Sequence, residues 1–527
     1  MKQSDINILD LPNEILFIIL NKLDNIDVLY SLFGINNKRL DILLEDDVFT
    51  NTLNLVTTSS ITDLKLDRFC IYILPRIDHC IKKFIIEGTS IERILLAGDY
   101  KNLTCLELFN FEQDKLFRYF TDNSVFRHIF QHRITDLILH NNDQYISKMR
   151  LDIYTRNVYG HILAIFKNLK HFTIISSSFH EYPHLSISYL PATVYFSSTL
   201  TVLCINVFHF EDCLYLLDGR LKQLSTLIVE IRYIFNLKLI HHNKCDLHNL
   251  KCFSLTSYYV TLDYDESVVP LLRRMTHLEK LTLYVRTRSR SAFVDGTHLQ
   301  NEILLHMPQL HSFIFYISSE NLTFDLVHRK SYDDIQQTFT NIKYGQTSCI
   351  IDNFNGGFKA ICHIYSLPFR FTRLEKITTH FPTIVFDTVT HLSAYDVISM
   401  KHEFFMRISR AFPMLKHFSL ENERSQTWEG GKWKLDQNSS YSIIKYPNII
   451  SLDIMHVDID YVVQFLLETK TYLPNLTELK VNYYQLKSAT MNFTRDATRS
   501  NCSKVKRLIV EVPRVFSKDV YQYFPSL

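Results

Sequence analysis

Glycine and proline are scarce in this chain, with 11 and 13 of them among 527 residues. Disordered regions and flexible linkers are usually rich in residues of this kind. Their scarcity therefore predicts a chain that is folded over most of its length, either as several domains or as one extended array.

A charge of one sign and long apolar runs are missing too. The net charge is only +2, which gives no whole-chain argument for nucleic acid or an anionic membrane as a partner. No apolar run approaches the roughly 20 residues that a membrane-spanning helix needs, and the first residues show no secretory signal. We therefore expect a soluble intracellular protein, cytoplasmic or nuclear, with no nucleic acid and no membrane among its partners.

Cysteine is present at 10 positions, but no Cys-x-x-Cys pair occurs. This pattern predicts neither a disulfide scaffold nor a zinc ribbon. The densest group of ligand-like residues is His241, His242, Cys245 and His248. Because no second group of matching spacing accompanies it, we interpret this stretch as a polar connecting loop and predict no metal.

Motifs of catalysis are absent as well. The chain has no Gly-x-Gly-x-x-Gly, no Walker-type phosphate loop and no Gly-x-Ser-x-Gly elbow. The basic run Arg286–Ser291 has the residue types that contact phosphates. We interpret it instead as a solvated loop after a strand at Leu281–Val285, because the rest of the chain is not basic. No catalytic residue and no cofactor are predicted.

The most informative segment is residues 11–20, which read Leu-Pro-Asn-Glu-Ile-Leu-Phe-Ile-Ile-Leu. Pro12 suits the first turn of a helix, with Asp10 as its cap. All six residues of Ile15–Leu20 are apolar, so this helix needs cover on more than one side. Two further short helical patterns follow and can cover one side only. We expect a second protein to cover the other; capping helices of a larger domain are the alternative.

This segment resembles the F-box over about residues 8–50. The matching residues are Leu11-Pro12-x-Glu14-Ile15-Leu16, then Ile18, Ile19, Leu20 and Leu23, then Asp27-Val28-Leu29 and Asn37-Lys38-Arg39-Leu40. In that family these helices dock on the Skp adaptor of SCF ubiquitin ligases, and through it on a cullin scaffold. The resemblance implies a three-helix F-box domain at residues 1–52. It also implies the adaptor-binding residues Leu11, Pro12, Ile15, Leu16, Ile19, Leu20, Leu23, Val28 and Leu29.

A short pattern, apolar-x-x-apolar-x-apolar, recurs along the rest of the chain. It occurs at Ile61/Leu64/Leu66, Ile81/Phe84/Ile86, Leu103/Leu106/Leu108, Ile134/Leu137/Leu139, Leu169/Phe172/Ile174, Leu200/Leu203/Ile205, Leu224/Leu227/Val229, Leu250/Phe253/Leu255, Leu278/Leu281/Leu283, Leu310/Phe313/Phe315, Leu415/Phe418/Leu420, Ile449/Leu452/Ile454, Leu476/Leu479/Val481 and Val505/Leu508/Val510. Several copies follow a helical stretch and a Pro, as at Pro308, Pro413, Pro447 and Pro474. Since Pro ends helices, the repeating unit is predicted to be helix, turn and short strand.

Stacked units of this kind bury a common core and pair their strands in parallel. Residues 58–512 resemble the leucine-rich repeat family, so we expect an α/β fold: an irregular horseshoe solenoid behind the F-box. An ordinary α/β domain with chance matches is the alternative. The series is irregular at about 318–400, where apolar runs on either side of Asn353–Gly357 predict a hairpin. This stretch is either an inserted or atypical repeat or a boundary between two sub-domains.

On each predicted strand, the residues between the apolar ones point to the opposite face of the sheet. Because solenoids commonly bind partners on this face, we predict a target-binding surface there. Its residues are Glu230, Lys280, Thr282, Tyr284, Ser312, Ile314, Tyr316, His417, Asp453, Lys480 and Arg507.

An F-box joined to leucine-rich repeats is typical of the substrate receptors of SCF ubiquitin ligases. The resemblance therefore implies a non-catalytic receptor that holds an unknown target protein. The alternative is an adaptor-bound scaffold that does not direct ubiquitination.

Overall fold

A computed structural model describes residues 11–56, 63–111, 119, 124–141, 151–175, 184–190, 195–235, 247–290, 292–322, 330–354, 359–426, 428–429, 432–433, 442–512 and 515–527. Within them the chain divides into two compact units. The first unit comprises residues 1–282 and 302–312, and the second comprises 283–301 and 313–527.

Helices and strands alternate along most of the chain. The α-helices are α1 Asn13–Leu20, α2 Asn25–Leu32, α3 Lys38–Leu44, α4 Asp47–Thr50, α5 Asp63–Arg68, α6 Leu74–Ile77, α7 Ile91–Leu95, α8 Arg127–His132, α9 Leu151–Thr155, α10 His161–Ile165, α11 Phe210–Leu216, α12 Val269–Arg273, α13 Gly296–Glu302, α14 Tyr332–Gln336, α15 His402–Ala411, α16 Ile459–Leu466, α17 Tyr483–Ala489, α18 Arg499–Cys502 and α19 Lys518–Tyr523. The strands are β1 Thr52–Asn54, β2 Lys83–Glu87, β3 Cys105–Phe111, β4 Asp136–Asn141, β5 His171–Ile175, β6 Val202–His209, β7 Thr226–Tyr233, β8 Cys252–Thr261, β9 Lys280–Arg288, β10 Ser312–Leu322, β11 Gln346–Phe354, β12 Lys359–Leu367, β13 Arg373–Ile377, β14 His391–Tyr395, β15 His417–Asn422, β16 Trp428–Glu429, β17 Lys432–Trp433, β18 Ile444–Lys445, β19 Ser451–Val457, β20 Thr471–Tyr472, β21 Glu478–Val481 and β22 Arg507–Ile509.

In the first unit, strands β1 to β8 pair in chain order, and every pair is parallel. Burial alternates along them, as in β6, where Leu203, Ile205 and Val207 are buried and the residues between them are not. The apolar positions therefore form the core under the sheet, and the intervening residues form its other face.

The predicted repeat is confirmed as a series of parallel strands. Except for the first, every predicted triad has its middle residue in a strand. The first triad is wrong, because Leu64 and Leu66 lie in α5, and Ile61 is outside the described residues. An apolar spacing of three residues fits a helix as well as it fits this pattern.

In the second unit, two kinds of pairing replace the single series. Strand β12 pairs antiparallel with both β10 and β11, so the predicted hairpin around Asn353–Gly357 is confirmed. A separate parallel sheet then runs in the order β13, β14, β15, β19, β21 and β22. The parallel strands of the predicted solenoid thus belong to two separate sheets. Strand β14 was missed, because Ala394 stands where the pattern requires a larger apolar residue.

Candidate functional site

The first four helices are held in place by capping and by one arginine. Pro12 precedes α1, where its carbonyl accepts hydrogen bonds from the N–H groups of Ile15 and Leu16 at 3.1 and 3.0 Å. It is therefore not inside the first turn, as the sequence suggested, and Asp10 lies outside the described residues. The Arg39 Nε donates to Asn13 Oδ1 at 2.6 Å and so ties α3 to the start of α1.

One side of α1 packs against the chain itself. Leu16 and Leu20 are buried, and Phe17 meets the buried Phe49 edge to face at a centroid distance of 5.4 Å. Val28 and Leu29 of α2 are buried too. Direct adaptor contact was predicted for Leu16, Leu20, Val28 and Leu29. The structure corrects this: their side chains pack the module and leave no surface for a partner.

The other side of α1 is uncovered. Ile15, Ile18, Ile19 and Leu23 are 44%, 58%, 36% and 56% exposed. Pro12 is also exposed, and Leu11 is half-buried. Because residues three and four apart share one side of a helix, Ile15, Ile18 and Ile19 lie on one side of α1, with Pro12 just before the helix and Leu23 just after it. We call Pro12, Ile15, Ile18, Ile19 and Leu23 the α1 outer face. Ile18 belongs to it, although it was not among the predicted contact residues.

The helical segment that begins with α5 packs against α2 and covers that side of the first helices. Asp27 pairs with Lys65 at 2.6 Å, and the Tyr30 and Phe69 rings stack at 6.3 Å. This packing resembles the capping-helix alternative, and the first unit includes these helices with no division at residue 52. The α1 outer face nevertheless stays open, because the covering contacts are made by α2 and not by α1.

The residues predicted for target binding are divided between the two units. In the first, Glu230, Thr282 and Ser312 are half-buried and Lys280 is exposed. In the second, Ile314, His417, Asp453 and Lys480 are half-buried and Arg507 is exposed.

Tyr284 and Tyr316 differ from the prediction, because both side chains are fully buried. Their rings lie 4.6 Å apart, and Phe371 meets Tyr284 at 5.4 Å. Phe369 meets Tyr316 at 5.9 Å. The segment that follows β12 thus covers both tyrosines and excludes them from any binding surface of the second unit.

Charges on the sheet of the second unit are largely paired. Lys480 Nζ lies 3.7 Å from Asp453 and 3.9 Å from Glu478, which Arg507 contacts at 3.2 Å. His417 stacks on His391 at 4.1 Å. Burial lowers the pKa of His417, so this imidazole tends to stay neutral. Such a face of paired charges and rings resembles the polar rim of protein interfaces.

In the first unit, Glu107 of β3 joins two neighbours on the open face. It accepts a hydrogen bond from Lys83 Nζ at 2.7 Å and contacts His140 Nε2 at 2.8 Å. His140 in turn stacks on Phe109 at 3.6 Å. Burial alone raises the pKa of Glu107, but the hydrogen bonds and charges of Lys83 and His140 together outweigh it and lower the pKa.

A pH titration of stability tests this carboxylate. Because its folded-state pKa is lowered, Glu107 contributes stability that is present above its ordinary pKa of 4.5 and is lost as the pH falls through the folded-state value. The unfolding temperature of Glu107→Gln should therefore lie below that of wild type at neutral pH, and the two should converge in acid. A gap that is constant from neutral to acid pH would contradict the assignment.

The basic run at Arg286–Ser291 is not a solvated loop throughout, which corrects the prediction. Strand β9 continues to Arg288, and Arg286 is buried. Its guanidinium lies 3.8 Å from both Glu320 and Glu375. Lys376 reaches Glu320 at 2.8 Å, and Arg373 pairs with Glu375. These five residues form a charge cluster of the second unit, in which Arg286 and Glu320 are buried and the other three are half-buried.

Metal and membrane sites can be addressed only for the described residues. Among them, no three or more His, Cys, Asp or Glu side chains come together as metal ligands would. Of the ligand-like group only His248 is described, and His241, His242 and Cys245 lie outside the described residues. Within the same residues, the helices are too short or too polar to cross a bilayer.

A buried asparagine was missed by the sequence analysis. Asn501 of α18 donates to the carbonyls of Phe465, Leu466 and Thr471 at 3.1, 3.2 and 2.7 Å. Its Oδ1 accepts from the Leu473 N–H at 2.9 Å. It thus satisfies backbone groups at the end of α16, in β20 and at Leu473. No sequence signal marks it, since a lone Asn in a polar stretch reads as exposed.

No family model matches the chain, and no curated protein matches it. The chain is similar to one in the crystal structure of the Rad7 and Elc1 complex in yeast, with 13% sequence identity and a TM-score of 0.34. That match covers 80% of this chain and 91% of the other.

Proposed function

We propose that this chain is the substrate-recognition subunit of an SCF-type ubiquitin ligase. The single observation that carries the proposal is the α1 outer face. Four large apolar side chains at helical spacing are uncovered, next to a proline, while the opposite side of the same helix is closed. Fully burying an aliphatic side chain contributes about 1.5–3 kcal/mol of favourable free energy. Burial of this face in a groove of a Skp-type adaptor would therefore contribute substantially to the free energy of binding.

The parallel sheets would hold the target. Their open faces present half-buried charged, polar and aromatic residues, the mixture that recognition surfaces use. The adaptor would join the chain to a cullin scaffold. The chain supplies no reacting group in this proposal, because it acts by holding target lysines near a ubiquitin thioester, which raises their effective concentration.

Adaptor recovery tests the first step. Ile15→Asp places a carboxylate in the middle of the α1 outer face, where docking would desolvate it. We expect the full-length variant to bind a purified Skp-type adaptor roughly tenfold to a hundredfold more weakly than wild type. Leu64→Asp is the matched control, because Leu64 is 79% exposed on α5, outside this face.

Undiminished adaptor binding by Ile15→Asp would contradict the docking surface. Equal losses in Ile15→Asp and Leu64→Asp would show a general effect of an added charge. A circular dichroism melt of each variant excludes unfolding as the cause, since Ile15 is exposed and its replacement leaves the packed side of α1 intact.

Target abundance distinguishes the receptor from the scaffold. In cells, replacing Leu11 and Pro12 by Ala should raise the level of a partner that binds the repeats, if the adaptor directs its ubiquitination. A partner that still binds and whose level is unchanged would favour the scaffold.

A further inference from the structure

An arginine on the open face of the first unit stands among aromatic rings. Leu227, Val229 and Ile231 of β7 are buried, so Arg232 lies on the other face. Val207 pairs with Ile231 and His209 with Tyr233, which places Phe208 of β6 directly beside Arg232. Phe208 is half-buried on this open face.

Three rings surround the guanidinium at similar distances. The Arg232 Cζ lies 5.7, 5.5 and 5.7 Å from the centroids of Phe208, Tyr233 and Tyr259. Tyr233 contacts Phe208 at 5.5 Å and Tyr259 at 5.0 Å, and it stacks on Phe235 at 5.5 Å. Phe235 is 49% exposed. We call these four rings with Arg232 the Arg232 platform.

Among the described residues, the Arg232 guanidinium forms no ion pair with a carboxylate. No Asp or Glu oxygen there lies within 4.0 Å of it, and its buried Nε has no hydrogen-bond partner. The buried Arg286 and the half-buried Arg373 differ, since both form ion pairs with a glutamate. A buried N–H group without a hydrogen-bond partner costs free energy. The rings attract the positive charge of the guanidinium by cation–π interaction but do not neutralise it.

From this arrangement we infer that the Arg232 platform binds an anionic side chain of a target protein. The guanidinium would form a forked pair with two oxygens of a carboxylate or a phosphate. Phe235 and the tyrosines would cover the neighbouring apolar part of the bound segment. The inference deepens the proposed function and rests on it for the identity of the ligand as a target protein, because it assigns chemistry to the target-binding face.

Peptide pools test the inference directly. Three fluorescent pools of short degenerate peptides, with serine, glutamate or phosphoserine at the centre, are titrated against the full-length protein and followed by fluorescence anisotropy. We expect tighter binding of at least one anionic pool than of the serine pool. Arg232→Met should weaken that binding roughly tenfold. Preference for phosphoserine over glutamate identifies phosphate as the ligand, and equal binding identifies any anionic side chain.

Two further variants keep the result interpretable. Arg410→Met removes an exposed arginine from α15 in the other unit, so it matches the change in net charge, and it should bind as wild type does. Arg232→Lys keeps the charge but loses the fork, and it should lose affinity several-fold. Arg232→Lys also tests the role of the guanidinium if Arg232→Met fails to fold.

Three outcomes would overturn the inference. They are equal binding of all pools by wild type, wild-type affinity in both Arg232 variants, and displacement of every peptide by a single-stranded oligonucleotide at lower concentration. Arg232→Met should still bind the adaptor, and Ile15→Asp should still prefer the anionic pools. A failure of adaptor docking is thereby distinguished from a failure of the platform.

Discussion

Glu320→Gln is expected to lower the free energy of unfolding by about 3–5 kcal/mol, because it removes the buried carboxylate partner of the buried Arg286 from the charge cluster. The Glu320 side chain is 7% exposed and forms ion pairs with both Arg286 and Lys376. Without it, three cations face the single carboxylate of Glu375. Arg286, at 10% side-chain exposure, cannot turn to solvent. Urea unfolding of the full-length protein measures the effect.

The number of charges in the cluster also predicts the stability of a double variant. Arg286→Met/Glu320→Gln leaves two cations and one carboxylate, so the double variant should be more stable than Glu320→Gln alone. Replacing both partners of a buried pair often costs little, whereas removing one costs much. Glu468→Gln is the control, since Glu468 is exposed and its replacement should change stability by less than about 0.5 kcal/mol. A double variant less stable than Glu320→Gln would contradict this account.

Asn501→Leu should destabilise the protein by roughly 3 kcal/mol or more. The substitution is close in size but leaves three carbonyls and the Leu473 N–H without the side chain that satisfies them. Each buried polar group left unsatisfied costs about 1–3 kcal/mol. Asn501 is 1% exposed, so water cannot replace the lost bonds easily.

An exposed asparagine supplies the comparison. Asn475 makes one side-chain hydrogen bond, to the Pro447 carbonyl at 2.8 Å, and Asn475→Ala should cost less than about 1.5 kcal/mol. Asn501→Asp keeps the acceptor for Leu473 but loses the donors, so it should also be strongly destabilised. If Asn501→Leu unfolds at the same urea concentration as Asn475→Ala, the backbone around α18 is satisfied in another way.

Periodicity predicted the strands well because it is local. The buried residues Leu203, Ile205 and Val207 alternate with open ones, and the repeated apolar pattern located 13 of the 18 described strands of the two large sheets. It failed where local spacing is ambiguous, at Leu64 and Leu66, and where a small residue, Ala394, replaces a large one. The open side of α1 was also foreseeable, since six consecutive apolar residues exceed what two short helices can cover.

The sequence by itself determined most strands of the repeated series, where the hairpin interrupts them and that α1 carries more apolar surface than its neighbours can bury. Only the tertiary structure decided which residues of the open faces stay accessible. Tyr284 and Tyr316 are buried because Phe369 and Phe371, distant in sequence, lie over them. Arg286 is paired because Glu320 and Glu375 come from other strands, whereas Arg232 meets no carboxylate among the described residues. Alternation along a strand determines the face of the sheet on which a residue lies. Whether its side chain is buried or paired there depends on segments distant in sequence, which no local pattern identifies.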